Sequence, residues 1–125
     1  MHSFSKLVTS QTEGVTILAF DPPVKTMDEA TLGQYTEALL KAGDADPPFV
    51  VLDLDGTEFF SSSFIEVMFR IWNRLKARAG RFAICGLHPY CQQVLEITNL
   101  HRIWPLTKTR AEAIARLKAG EHEAH

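Results

Sequence analysis

The chain has 125 residues, of which 46% are apolar and 22% charged, and a formal net charge of −2. That length supports one domain with one core, and the slightly acidic balance excludes a surface built mainly for nucleic acid. No apolar run reaches the roughly 18 residues of a membrane span and the N-terminus lacks a basic-then-apolar leader, so the sequence reads as cytoplasmic with no membrane insertion.

Phe4 to Val8 and Val15 to Phe20, separated by a polar turn containing Gly14, predict an antiparallel pair of strands. Asp21-Pro22-Pro23 ends the second, because consecutive prolines cannot extend a hydrogen-bonded ladder. Thr26-Met27-Asp28-Glu29 has capping-box spacing with Thr26 as the expected N-cap. The helix that follows places Ala30, Tyr35, Ala38, Leu39 and Ala42 near its inner side and stops at Gly43. Phe49-Val50-Val51-Leu52 is apolar at every position, which predicts a strand covered on both faces.

Asp53, Asp55 and Gly56 mark where the backbone leaves that strand, and Ser61-Ser62-Ser63 opens a helix. Ser63-Phe64-Ile65-Glu66 repeats the capping-box spacing, making Ser63 the expected N-cap and leaving Ser62 just outside the helix. Ile65, Met68, Phe69, Trp72, Leu75 and Ala79 recur at helical steps as a core face. Phe64, Val67 and Ile71 widen the apolar surface beyond what one packed face needs. The surplus either docks a partner beside the serines or lies under a second helix. Gly80 ends this helix.

Arg81 to Cys85 predicts a strand. Pro89 opens a helix through Val94, Leu95 and Thr98, with Asn99 as a left-handed cap. Ile103 to Leu106 predicts a short last strand. Thr109-Arg110-Ala111-Glu112 is a third capping box, opening a helix through Ala113, Ile114 and Leu117 that stops near Gly120. The expected domain is residues 1–120, with a disordered polar tail over 121–125.

Three chemical readings of these residues fail. Asp53-Leu54-Asp55-Gly56-Thr57 matches the DxDGT signature of haloacid dehalogenase-like phosphatases. That chemistry needs further carboxylates to hold magnesium, yet no Asp follows Asp55 and the later Glu residues form no adjacent pair at a strand end. Cys85, His88 and Cys91 lack a fourth ligand at finger spacing, so they read as two reduced cysteines and a histidine rather than a metal site. Arg70, Arg74, Lys76 and Arg78 read as a solvated helix face rather than a phosphate-binding stripe. No acid, base and nucleophile set emerges, so the sequence predicts a protein that is not an enzyme and needs no cofactor.

A longer match runs from Val50 to Leu117. Val50-Val51-Leu52-Asp53-Leu54, Glu58-Phe59-Phe60 and Ser61-Ser62-Ser63 resemble the family segment VVLDLSGVEFIDSSGLG. Ala79-Gly80-Arg81 leading to Cys85-Gly86, then Val94-Leu95-Glu96-Ile97-Thr98-Asn99-Leu100 and Glu112-Ala113, follow in family order. Together they resemble the STAS domains of anti-sigma factor antagonists and of sulfate-transporter tails. The resemblance implies an α/β fold, a single STAS-like domain with a mixed central sheet of about five strands and about four helices.

It also implies a bacterial regulator of transcription that switches partners, binding an anti-sigma factor kinase of the GHKL type until a serine is phosphorylated. Residue by residue, Ser62 falls on the family phosphoacceptor, Ser61 on the acidic residue before it and Ser63 on the second serine, while Phe64 and Glu66 replace two glycines. Asp28 is the nearest match to the family's acidic residue beside the serine loop; read from the residues alone, it is an acid favoured by a helix N-terminus. The resemblance thus gives Asp28, Ser61, Ser62, Ser63, Phe64 and Val67 as the partner-binding set, with Ser62 as the site of phosphorylation. The departures at Ser61, Phe64 and Glu66 leave a second reading open. In it Ser62 is a plain turn serine in a divergent, non-phosphorylated STAS interaction module of another signalling or transport assembly.

Overall fold

The computed structural model describes residues 5–119. Along the chain run β1 (Lys6–Thr12), β2 (Val15–Asp21), β3 (Thr26–Met27), α1 (Glu29–Gly33), α2 (Thr36–Leu40) and a 3₁₀ turn (Lys41–Asp44). β4 (Phe49–Asp53), β5 (Phe59–Phe60), α3 (Ser62–Lys76) and β6 (Arg81–Cys85) follow. α4 (Pro89–Ile97), a second 3₁₀ turn (Leu100–Arg102), β7 (Leu106–Thr107) and α5 (Arg110–Lys118) complete the order.

The main sheet has five strands in the order β1-β2-β4-β6-β7, with β1 antiparallel to β2 and the other neighbours parallel. The mixed sheet of the sequence reading is therefore present. Strand residues alternate between its two faces. Leu18, Val50, Leu52, Phe82 and Ile84 join the larger core with Leu39, Phe64, Met68 and Leu75. Val15, Ile17, Val51, Ala83 and Cys85 face the other way, under Ala113, Ile114 and Leu117 of α5. Burial on both faces is why β4 carries an unbroken apolar run.

Several boundaries differ from the sequence reading. The helix expected from Thr26 to Gly43 is broken into α1, α2 and a 3₁₀ turn, giving five α-helices among the described residues. Thr26 is not its cap: Thr26 and Met27 are a strand paired in parallel with Phe59 and Phe60, and Asp28 caps α1 instead. Ala30 and Ala38, expected inside, are exposed, whereas Leu32, Tyr35, Leu39 and Ala42 are buried. β1 begins later and runs further than Phe4 to Val8. The last strand is Leu106–Thr107 rather than Ile103 to Leu106.

Other local readings hold. Arg81–Cys85 is a strand, α4 starts at Pro89, and Asn99 is left-handed with φ 62°. Thr109 and Glu112 form the complete reciprocal capping box. Gly80 follows α3 where a Cβ would stand 2.2 Å from the Pro48 carbonyl oxygen, so this close crossing requires glycine. The basic residues of α3 and of the turn after it do more than face solvent. Arg74 donates to the Leu40 carbonyl (2.8 Å) and Arg78 to those of Gly43 (3.1 Å) and Ala45 (2.7 Å), satisfying carbonyls where α2 and its 3₁₀ turn end. Lys76 stands 4.4 Å from the centre of the Trp72 ring. Among the described residues no helix is long and apolar enough to cross a membrane. The tail expected over 121–125 lies outside the described residues.

Candidate protein-docking site

The serine segment is positioned by a clasp of backbone hydrogen bonds, backed by one buried side-chain bond. The β3·β5 ladder pairs Thr26 with Phe59 and Met27 with Phe60. On either side of it, the Glu58 amide donates to the Lys25 carbonyl (2.8 Å) and the Ser61 amide to that of Met27 (3.0 Å). Below, the buried Thr57 hydroxyl donates to the Val24 carbonyl at 2.7 Å. The clasp ties the start of α1, at Asp28, to the start of α3, at Ser61.

Ser61, not Ser63, is the N-cap of α3, with extended backbone at φ −83° and ψ 167°. The pull of Met27 on the Ser61 amide fixes where extended backbone ends, and the helix starts earlier than the Ser63–Glu66 spacing indicates. Ser62 is the first helical residue and is exposed. The Ser61 side chain makes no capping bond, and its buried hydroxyl oxygen has no partner among the described residues. The amide of Phe64 bonds back to the Ser61 carbonyl at 3.0 Å, while those of Ser62 and Ser63 find no acceptor among the described residues. The first turn of a long helix thus opens with free donors and the positive end of its dipole.

Phe64 does not form a surface patch. It is fully buried and packs against Phe60 at a ring separation of 5.6 Å, because the β3·β5 clasp and α1 lie over that side of α3. Val67 is also buried, but it lines a shallow groove of about 320 Å³ with Leu32 and Gly33 of α1 and with Ser63, Glu66 and Arg70 of α3. Asp28 accepts from the Thr31 amide at 2.8 Å, and this backbone hydrogen bond holds its carboxyl below the usual carboxylate range. It is therefore an anion at neutral pH. Of the residues in the expected set, the structure leaves Ser62 exposed, Ser63 and Val67 on the groove, Asp28 on the neighbouring helix start, and Ser61 and Phe64 in packing roles.

The DxDGT segment is occupied by structural work. The Asp53 carboxylate is bridged by Arg110 through Nη2 (2.8 Å) and Nε (3.0 Å), and its other oxygen accepts from the Asp55 amide (3.0 Å). Thr57 is buried in the bond to Val24. The sequence reading places Arg110 only within the third capping box and gives it no part in this pair. Its signal is a cation in the first turn of a helix, where the dipole disfavours one unless a carboxylate waits nearby. His88 accepts from the Tyr90 amide through Nδ1 at 3.1 Å and so caps α4, and Cys85 and Cys91 are both buried free thiols.

The model of the STAS domain family matches residues 6–113. The chain belongs to the STAS domain family. A solved anti-sigma-factor antagonist STAS domain protein from Planctomyces limnophilus is 34% identical, with a TM-score of 0.84 over 90% of this chain and 97% of that one. The Bordetella bronchiseptica protein BtrV, provisionally named an anti-sigma factor antagonist, is 26% identical over 113 residues, which is 90% of this STAS chain and 95% of its own. SpoIIAA of Bacillus, solved in its phosphorylated form, shares the fold at 18% identity, with a TM-score of 0.65 over 89% of this chain and 98% of its own. The fold of this STAS domain is thus that of anti-sigma factor antagonists.

Proposed function

We propose that this STAS domain is an anti-sigma factor antagonist that docks an anti-sigma factor through the mouth of α3 and lets go when Ser62 is phosphorylated. The observation that carries this reading is Ser62 itself: an exposed serine at the first residue of α3, beside amides with no acceptor among the described residues and a groove between α1 and α3. SpoIIAA, solved in a phosphorylated form, supports modification as a property available to this fold.

Phosphorylation would add a charge of about −1.5 to −2. Within the chain the free amides and the dipole accept that charge, at a stabilisation of about 0.3–1 kcal/mol. A partner seated over the same surface meets it differently. It must bury the phosphate beside Asp28, Glu29 and Glu66, with Arg70 the cation on that rim. One covalent change therefore preserves the fold and opposes docking. The partner this implies is an anti-sigma factor that is itself a serine kinase of the GHKL type, working in the bacterial cytoplasm on transcription; the STAS chain supplies a substrate hydroxyl and no catalysis.

Incubation with ATP and such a kinase, recovered by pull-down on the unmodified chain, should add a single phosphate at Ser62 by mass spectrometry. Ser62→Asp should weaken capture of that kinase at least tenfold, while Ser62→Ala should keep capture and abolish labelling. Phosphate placed elsewhere, or undiminished capture by Ser62→Asp, would leave the constitutive interaction module. The packing of Phe64 and the buried Ser61 hydroxyl, at positions where the family motif has glycine and an acid, favour that second reading.

A further inference from the structure

The two edges of the main sheet are unlike. β7 is only two residues long and follows Pro105, so it offers little backbone to a newcomer. β1 is a seven-residue edge in unbroken register with β2, contains no proline or bulge, and carries one charge, Lys6, at its end. Natural sheets blunt such an edge or cover it.

The free groups on β1 follow from the hairpin. Glu13 and Gly14 both have positive φ (54° and 82°) and form a two-residue loop closed by Thr12 and Val15. A closing pair of this kind exchanges both backbone hydrogen bonds. Alternation then turns Lys6, Val8, Ser10 and Thr12 inward to β2, and Leu7, Thr9 and Gln11 outward. The Ser5 carbonyl points outward too, where the Tyr35 hydroxyl donates to it at 2.7 Å. The outward backbone groups of Leu7, Thr9 and Gln11 have no partner among the described residues.

The flanks are open as well. Val8 is 43% exposed. A groove of about 350 Å³ runs beside Val8 and Ser10 on the α5 side, and another of about 350 Å³ beside Thr9 and Gln11 on the α2 side. β1 overhangs both helix layers.

We propose that the occupant of this edge is β1 of a second copy, paired antiparallel about a two-fold axis at Thr9. That register sets Thr9 against Thr9 and Leu7 against Gln11, each a pair that exchanges both hydrogen bonds. It is self-complementary in charge. Lys6 of each copy lies across from Thr12 of the other, beside Glu13, and no like charges stand opposite. The pairing joins two five-stranded sheets edge to edge, and β1 with its flanking grooves shares no residue with the groove between α1 and α3, so each copy keeps that site.

Sedimentation equilibrium at high micromolar concentration should give twice the 14.0 kDa chain mass. Thr9→Lys and Thr9→Glu each place like charges directly across the axis without touching the β1·β2 ladder. Each should sediment as a single chain with an unchanged circular dichroism spectrum, and an equimolar mixture of the two should return to the doubled mass. A single-chain mass for the unaltered protein overturns the proposal. So does a dimer indifferent to both variants, or variants split but not rejoined by mixing.

Discussion

Asp53 has a side chain only 13% exposed, and the guanidinium of Arg110 and the Asp55 amide occupy both its oxygens. Removing Arg110 strands a carboxylate that is mostly out of water, whereas the pair that Lys118 of the same helix makes with Glu13 of the β1–β2 loop is about half exposed at both ends. Arg110→Ala should therefore cost about 1–3 kcal/mol in urea unfolding, and Lys118→Ala less than about 1 kcal/mol. A second contrast separates neighbours in the serine segment. Phe64→Ala should cost about 3–5 kcal/mol as a core truncation, and Ser62→Ala should stay within about 0.5 kcal/mol as a surface change. The same denaturation series checks both. Neither contrast is legible in the sequence, because Asp53 meets Arg110 only when α5 crosses β4. Phe64 looks like surplus apolar surface until the clasp of Met27 and Phe60 is seen to cover it.

Among the elements, what the chain announces locally is what survives folding. The Thr109–Glu112 box forms as its spacing predicts, since no distant strand competes for its groups. Thr109→Ala should cost about 1 kcal/mol by thermal unfolding, and Thr109→Ser should recover most of it. The other two boxes fail for one shared reason. β3 and β5 are two-residue strands with no periodicity to betray them, yet their pairing takes Thr26 into a ladder and fixes Ser61 as the cap of α3. The central strand β4 is readable because burial on both faces leaves an unbroken apolar run. The miniature ladder is not, since its partners lie more than thirty residues apart and neither half is a strand by itself.

At the scale of the whole molecule, the two cores hold a cysteine each, Cys91 under the sheet's larger helix layer and Cys85 under α5. Burial pushes the Cys85 thiol up to about 12, helped by the Asp53 charge, and the Cys91 thiol up to about 11. Both stay protonated in the folded chain while the unfolded chain ionises near the ordinary thiol value of about 8.5. The unfolded state then binds fewer protons, so stability is full below that value and falls as pH rises through the window toward 11 and 12. The melting temperature should decline across that range, and less steeply in a Cys85→Ala, Cys91→Ala double variant. At pH 8 a thiol reagent should label neither cysteine in the native protein and both in guanidinium.

The bare first turn of α3 has a consequence for timing. A phosphoryl group on Ser62 would be gripped by the chain's own amides, so a phosphatase must first peel it from that cradle. Once written, the mark should outlast the kinase that wrote it, and the domain would behave as a slow-fading record of past kinase activity rather than a momentary reading of it.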